Sequence, residues 1–313
     1  MVEDRRLARI SRELFIAAIA PRLLESWVLD RMTSLMEELD LPAGKTLYSA
    51  GDSPDAIYFM REGAIQLARE DAPPWTLEGR WVIGGFEAVL ERPRSRTAMA
   101  ITDLHLMRIQ ADDWIEILED SFDLARGALF NQARTVARLD ENLAAKVVIA
   151  DPAVVPSIPL PSGPLSLVER LAALMEMPML SGAGVQTLAD LAAIVDEVTF
   201  EPGDVVLERG VPRERVFFVV EGEAEATRQA PAMVRRFRTR TLVCGAAALD
   251  EHASDWRAVA KTTTRALSVR LEEWVDLMEE HFDMVRAALS CLALEREKIL
   301  EQMALESGGI VLR

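Results

Sequence analysis

A chain of 313 residues carrying 51 acidic against 35 basic side chains, a formal charge of −16, sets up a field that repels nucleic acid and anionic membrane surfaces. Half of its residues are hydrophobic and 27% are charged, which excludes a disordered chain and supplies apolar material for two cores of ordinary size. Two cysteines, Cys244 and Cys291, make neither a disulfide framework nor a zinc site, and both read as buried thiols in a reducing compartment.

In chain order, residues 1–29 read as an N-terminal helical segment. Its apolar run LFIAAIA is too short to span a bilayer and lacks a clear small-residue cleavage site, so a cytoplasmic location without membrane contact is expected. The stretch RRLARIS around Ser11 reads either as a basic kinase-substrate patch or as the charged face of a first amphipathic helix. Residues 30–148 form the first domain. Short runs such as AIYFM, punctuated by Gly, Pro and Asp, predict strands joined by tight turns. Trp114, Ile117, Leu118 and then Phe122, Ala125, Leu129 recur at helical spacing and predict a helical tail. In residues 149–165, Pro152, Pro156, Pro159, Pro161 and Pro164 forbid a continuous helix and predict an extended strap lying on a domain surface. Residues 166–306 form the second domain, and residues 307–313 a C-terminal tail.

The second domain repeats the first. LPAGKTLYSAGDSPDAIYFMREGAIQ from Leu41 parallels FEPGDVVLERGVPRERVFFVVEGEAE from Phe200, pairing Gly44 with Gly203, Gly51 with Gly210, Phe59 with Phe218 and Gly63 with Gly222. DDWIEILEDSFDLARGAL from Asp112 parallels EEWVDLMEEHFDMVRAAL from Glu272, pairing Trp114 with Trp274 and Phe122 with Phe282. A register that slips by one residue over such a span marks two copies of one unit.

The order of signals in each copy, glycine-punctuated strands, then LEGRWVIGG, then RPRSRTAMAITDLHLMRI, then helices, resembles the cyclic nucleotide-binding domain family, as in regulatory subunits of cyclic-AMP-dependent protein kinase and the catabolite activators. The resemblance covers residues 30–145 and 190–303. It implies an α+β fold of two tandem β-barrel (jelly-roll) domains, each with flanking helices.

That family's phosphate cassette runs approximately Phe-Gly-Glu-Leu-Ala, then several residues, then Arg-Ala-Ala. Backbone N–H groups and the arginine hold the phosphate, and the glutamate accepts from the ribose hydroxyl. On this pattern Gly84 takes the glycine position and Arg94 the arginine, with Ser95 and Arg96 following, while Gly85 stands where the glutamate belongs. A glycine accepts nothing from a hydroxyl, so discrimination is lost. Glu87, two residues on, is the candidate to stand in for that acid, although on a short helical turn it does not share a face with position 85. Arg94 and Arg96 read equally as surface arginines satisfied by Glu87 or Glu91. In the second copy Gly245 is kept, Ala246 replaces the glutamate, Ser254 stands opposite Arg94, and Arg257 lies three residues past the register. The resemblance therefore implies a lost site in copy two and, at most, cyclic AMP or cyclic GMP in copy one. Met99 and Met107 read as core fillers.

His105, His252 and His281 are scattered, and no HExxH, GxSxG, Walker-type or paired-cysteine motif occurs, so no enzyme and no metal site are expected. A helix-turn-helix after either copy is not expected, so neither is DNA. Phe122, Ala125, Leu129, Gln132, Val136, Leu139 and Leu143, and Phe282, Val285, Leu289, Leu292, Arg296, Ile299 and Met303, form seams suited to a partner helix. The expectation is a regulatory or scaffolding protein acting through protein contacts and forming a homo-oligomer through these helices. A cyclic nucleotide receptor or a self-assembling structural component are the alternatives.

Overall fold

The computed structural model describes residues 26–141, 147–149, 160–229, 232–243 and 255–312. Ser11, His252, Cys244 and most of the proline strap lie outside them. Among the described residues the first element is helix α1 (Ser26–Leu35), followed by strands β1 (Glu37–Leu41), β2 (Thr46–Tyr48), β3 (Ala56–Met60), β4 (Ala64–Arg69), β5 (Ala72–Glu78) and β6 (Trp81–Ile83). The short helix α2 (Gly85–Val89), β7 (Thr97–Ala100), β8 (Leu104–Gln110), α3 (Ala111–Asp120) and α4 (Phe122–Glu141) complete the first copy. After β9 (Val147–Ile149) come α5 (Leu167–Met175), α6 (Val185–Ile194), β10 (Asp196–Phe200), β11 (Val205–Leu207), β12 (Arg215–Glu221) and β13 (Glu223–Gln229). The second copy continues through β14 (Ala232–Arg238), β15 (Thr241–Leu242), β16 (Arg257–Ala260), β17 (Thr264–Arg270), α7 (Leu271–Glu280), α8 (Phe282–Ser307) and β18 (Ile310–Leu312).

The repeat is reproduced strand for strand. One four-stranded sheet runs β1-β8-β3-β6 and its counterpart β10-β17-β12-β15. The other sheet in each copy has five strands, β2-β7-β4-β5-β18 and β11-β16-β13-β14-β9. The expected jelly roll is present in each copy as a pair of mainly antiparallel sheets, with no closed barrel among the described residues.

By packing, the chain divides into a first unit of residues 1–132 with 293–313 and a second unit of residues 133–292. In the first unit, β3 is buried along its whole length. Phe59 meets Trp114 of α3 edge-on with centroids 5.6 Å apart. The repeat equivalents in the second unit, Phe218 and Trp274 of α7, lie 5.5 Å apart. Such pairs fasten the helical tail of each copy to its central strand, adding about 1 kcal/mol beyond area burial. Met107 is buried as expected, but Met99 is 40% exposed: the alternation along β7 turns Ala98 and Ala100 inward and Met99 out.

The fifth strand of each larger sheet is its one parallel member. In the first unit β18 joins β5 in the register Ile310–Trp75, Val311–Thr76, Leu312–Leu77. In the second unit β9 joins β14, placing Val147 opposite Val234. Each added strand covers an edge whose free N–H and C=O groups would otherwise invite pairing with another chain.

The end of the proline strap is tied to the second unit. Arg265 donates from Nη1 to the Pro161 carbonyl at 2.7 Å, and from Nη2 to the Gly163 carbonyl at 2.9 Å and to Glu197 at 2.6 Å. Glu197 also accepts from the Leu165 amide at 2.8 Å. Burial works to raise the Glu197 carboxyl, but the Leu165 amide and the Arg265 charge outweigh it and hold it below the ordinary carboxylate value.

Two predictions follow from this packing. Gly222 sits at φ 92°, and a Cβ there would stand 2.5 Å from the Thr263 carbonyl oxygen. Gly222→Ala is therefore expected to destabilise by about 1–3 kcal/mol, read as a lower urea midpoint; an unchanged midpoint contradicts it. For Glu197, whose folded-state pKa is the lower one, the contribution to the strap is complete above the unfolded value of about 4.3 and is lost as pH falls through the folded value. Protection of the Leu165 amide is expected to fall between pH 6 and pH 3 in the native chain and to stay low and flat in Glu197→Gln.

Candidate functional site

The cassette of copy one forms where β6 ends, α2 turns and the chain returns into β7. Gly84 caps α2 at φ 79° with no side-chain cap. A Cβ at this position would collide with the Arg94 guanidinium, so the glycine is what lets that side chain lie against the backbone. Arg94 is only 3% exposed. Its Nη1 donates to the Gly84 carbonyl at 2.8 Å, and its Nη2 donates to the Ala56 carbonyl of β3. Its Cζ lies 4.4 Å from the centroid of the Tyr48 ring. Its backbone is pinned as well, N–H to the Asp52 carbonyl and C=O from the Gly51 amide, each at 2.8 Å.

The counter-charge comes from Glu87, itself 7% exposed, with Oε2 at 3.8 Å from Arg94 Nη1. Its Oε1 accepts from the Ser95 hydroxyl at 2.8 Å and from the Ser95 amide at 3.3 Å. Burial raises the Tyr48 phenol well above its ordinary value, the Glu87 charge raises it further, and Arg94 offsets part of the rise. The cassette thus closes on itself: a cation, an anion, a hydroxyl and an aromatic face satisfy one another at the position where the resemblance expects a ligand.

Both arginines are buried, which corrects the surface reading. Arg96 is 2% exposed, donates to the Pro73 carbonyl at 3.0 Å, and lays its Cζ 3.9 Å from the Trp75 ring. Desolvation lowers its pKa, the neighbouring Arg69 charge adds to the fall, and Glu301 counters it. Glu87 does enter the cassette, turned to Arg94 and Ser95. Gly85 opens α2 with an added Cβ meeting only Val82 at 3.6 Å, so a side chain fits there.

In copy two, Gly245, Ala246 and Ser254 lie outside the described residues. Arg257 opens β16 opposite Thr227, on the sheet's outer face with Val259. Its Nε pairs with Glu208 at 3.4 Å, beside a shallow depression bounded by Glu225 and Lys261. Among the described residues Arg257 is held by this ion pair and lines that depression. His105 pairs with Asp40 and His281 with Asp190, and among the described residues no three metal-ligating side chains converge. Cys291 is half-buried on α8. Among the described residues no helix is long and apolar enough to cross a membrane.

Residues 38–121 and 197–281 each match the cyclic nucleotide-binding domain family, together more than half of the sequence. The chain belongs to the cyclic nucleotide-binding domain family. A cGMP-dependent protein kinase of Drosophila melanogaster is 21% identical over 221 residues, covering 69% of this chain; the chain spans only 16% of that relative. Among solved structures, the regulatory domain of Toxoplasma gondii PKA with cAMP is 15% identical, with coverage of 88% of this chain and 92% of that one and a TM-score of 0.33. The regulatory subunit of a cAMP-independent protein kinase A from Trypanosoma brucei is 17% identical, with coverage of 97% and 91% and a TM-score of 0.36. The first matched range contains all of the residues from Gly84 to Arg96 described above.

The residues that sequence reasoning missed are Tyr48, Ala56 and Glu301. Tyr48 sits on a three-residue strand whose inward face was legible from alternation, but nothing local tied it to Arg94.

If Arg94 is an internal tie, Arg94→Ala leaves two buried carbonyls and Glu87 without their partner and is expected to cost about 3 kcal/mol in unfolding free energy. An arginine held ready for a ligand would leave the melt of the free chain nearly unchanged.

Proposed function

We propose that this chain is a non-enzymatic regulatory protein that works through protein contacts, on a pair of cyclic nucleotide-binding domains neither of which takes free cyclic nucleotide. The observation that carries this reading is the state of Arg94. Its donors go to Gly84 and Ala56, its face to Tyr48 and its charge to Glu87. A cyclic phosphate would have to displace a carboxylate already desolvated beside that guanidinium, and no acid at position 85 waits for the ribose hydroxyl. In copy two, Ala246 and Ser254 occupy the acid and arginine positions, which supports loss of the site there too.

Calorimetric titration with cyclic AMP and cyclic GMP tests this. The native chain is expected to give no binding heat at millimolar ligand. The variant Gly85→Glu/Glu87→Ala, which supplies the missing acid and removes the internal anion, is expected to gain measurable affinity. Micromolar binding by the native chain overturns the reading in favour of a true receptor.

A further inference from the structure

The two arginines that flank Arg94, Arg92 and Arg96, share one destination. In the first unit the last turns of α8, from Ala293, reach the copy-one cassette, and the strand β18 that follows them joins β5. Arg92, just after α2, donates to Glu297 at 2.6 Å. Arg96, where the resemblance expects alanine, has its Nη2 3.8 Å from Glu301, which also takes Arg69 Nη1 at 2.8 Å. Arg296 lays its Cζ 4.7 Å from the Phe86 ring of α2 and 5.6 Å from the Trp81 ring, and donates to Gln132 at 3.1 Å. Burial lowers this guanidinium to about 10, so it remains a cation at neutral pH. Ile299, Leu300 and Ala304 are buried on the same helix. Gly308 and Gly309, both at positive φ, then turn the chain into β18, whose Ile310 and Leu312 are buried against β5.

This packing covers the seam residues Arg296 and Ile299 of α8 within the first unit. It also gives the extra arginines of the cassette a purpose. Three cations (Arg69, Arg92, Arg96) meet two carboxylates spaced one helical turn apart, and an open strand edge lies at the turn's exit. Two independent modes of recognition, charge pairing along a helix and addition of a strand to a sheet edge, therefore act on one continuous segment.

We propose that the copy-one cassette is a peptide-recognition site, whose ligand class is an acidic helix running through a glycine turn into an extended strand, and whose resident ligand is the chain's own C-terminal segment from Ala293. This rests on the reading that the cassette does not take free cyclic nucleotide. Arg94 stays tied to Glu87, and the neighbouring arginines Arg92 and Arg96 are the ones that take the tail's two carboxylates.

The test uses the full-length chain with its own tail repelled, E297R/E301R, and a fluorescent peptide of native sequence 293–313. Circular dichroism establishes that the variant is folded. The peptide is expected to bind this variant with micromolar affinity, to bind the native chain at least tenfold more weakly, and to lose at least tenfold when Arg92→Glu is added. A second measurement does not depend on the double variant. Hydrogen exchange of the Ile310 and Leu312 amides is expected to quicken about tenfold in Glu297→Arg and to recover in the charge swap R92E/E297R. A folded variant that ignores the peptide, or tail amides as protected in Glu297→Arg as in the native chain, overturns the proposal. Nucleotide heat in the native chain, by contrast, overturns the functional reading and leaves these two readouts to be judged on their own.

Discussion

A guanidinium almost wholly withdrawn from water costs several kcal/mol in lost hydration, and it persists only where its donors and its charge are met inside the protein. Arg94 meets that condition at both terminal nitrogens, with two carbonyls, an aromatic face and the Glu87 carboxylate, while its Nε has no hydrogen-bond partner. Much of the copy-one cassette is arranged around this arginine. Gly84 has no Cβ because the guanidinium lies there, α2 is oriented so that Glu87 points inward, and Ser95 is held by the carboxylate's second oxygen. The pair ties β3, α2 and the start of β7 into one rigid corner. Functionally, it makes the family's phosphate anchor part of the protein's own interior.

Around that corner the second arginine is turned to a different use. Arg96 is clamped between Trp75 and the Pro73 carbonyl, and its remaining charge faces Glu301 at the end of α8. Beyond it, β18 closes the edge of β5. The same architectural step occurs in the second unit, where β9 closes the edge of β14. Neither larger sheet reaches its fifth strand with residues of its own repeat, since β9 follows the first copy's helices and β18 follows the second's. The added edge strand is thus repeated with the repeat, and in the first unit the helix that leads into it also contacts the cassette.

The duplication, the strand order and the turn glycines were legible because each depends on local, periodic signals. Gly44, Gly51, Gly63 and their partners Gly203, Gly210, Gly222 all take positive φ, which their placement between alternating runs had implied. Position-by-position comparison with the family also singled out Arg94 and Gly85, and the structure places Arg94 against the Gly84 carbonyl. The direction of Glu87 was harder, because helical facing on a five-residue turn is set by what the side chain can pair with and not by period alone. Arg96 read as a surface residue because its partners, Trp75 and Glu301, are far away in sequence and come together only through tertiary packing. Met99 was misplaced by composition, which cannot say which face of a four-residue strand looks outward. The seam on α8 was legible from its spacing, and its residues Arg296 and Ile299 are covered within the first unit.

The central claim is that Arg94 is already bound by its own protein. Side-chain NMR of the arginine Nη groups observes that directly. The account predicts Arg94 Nη protons that exchange slowly in the free chain, show coupling across hydrogen bonds to carbonyl acceptors, and do not move when cyclic AMP is raised to millimolar concentration. Fast-exchanging Nη protons in the free chain, or signals that shift and slow only as cyclic AMP is added, contradict it.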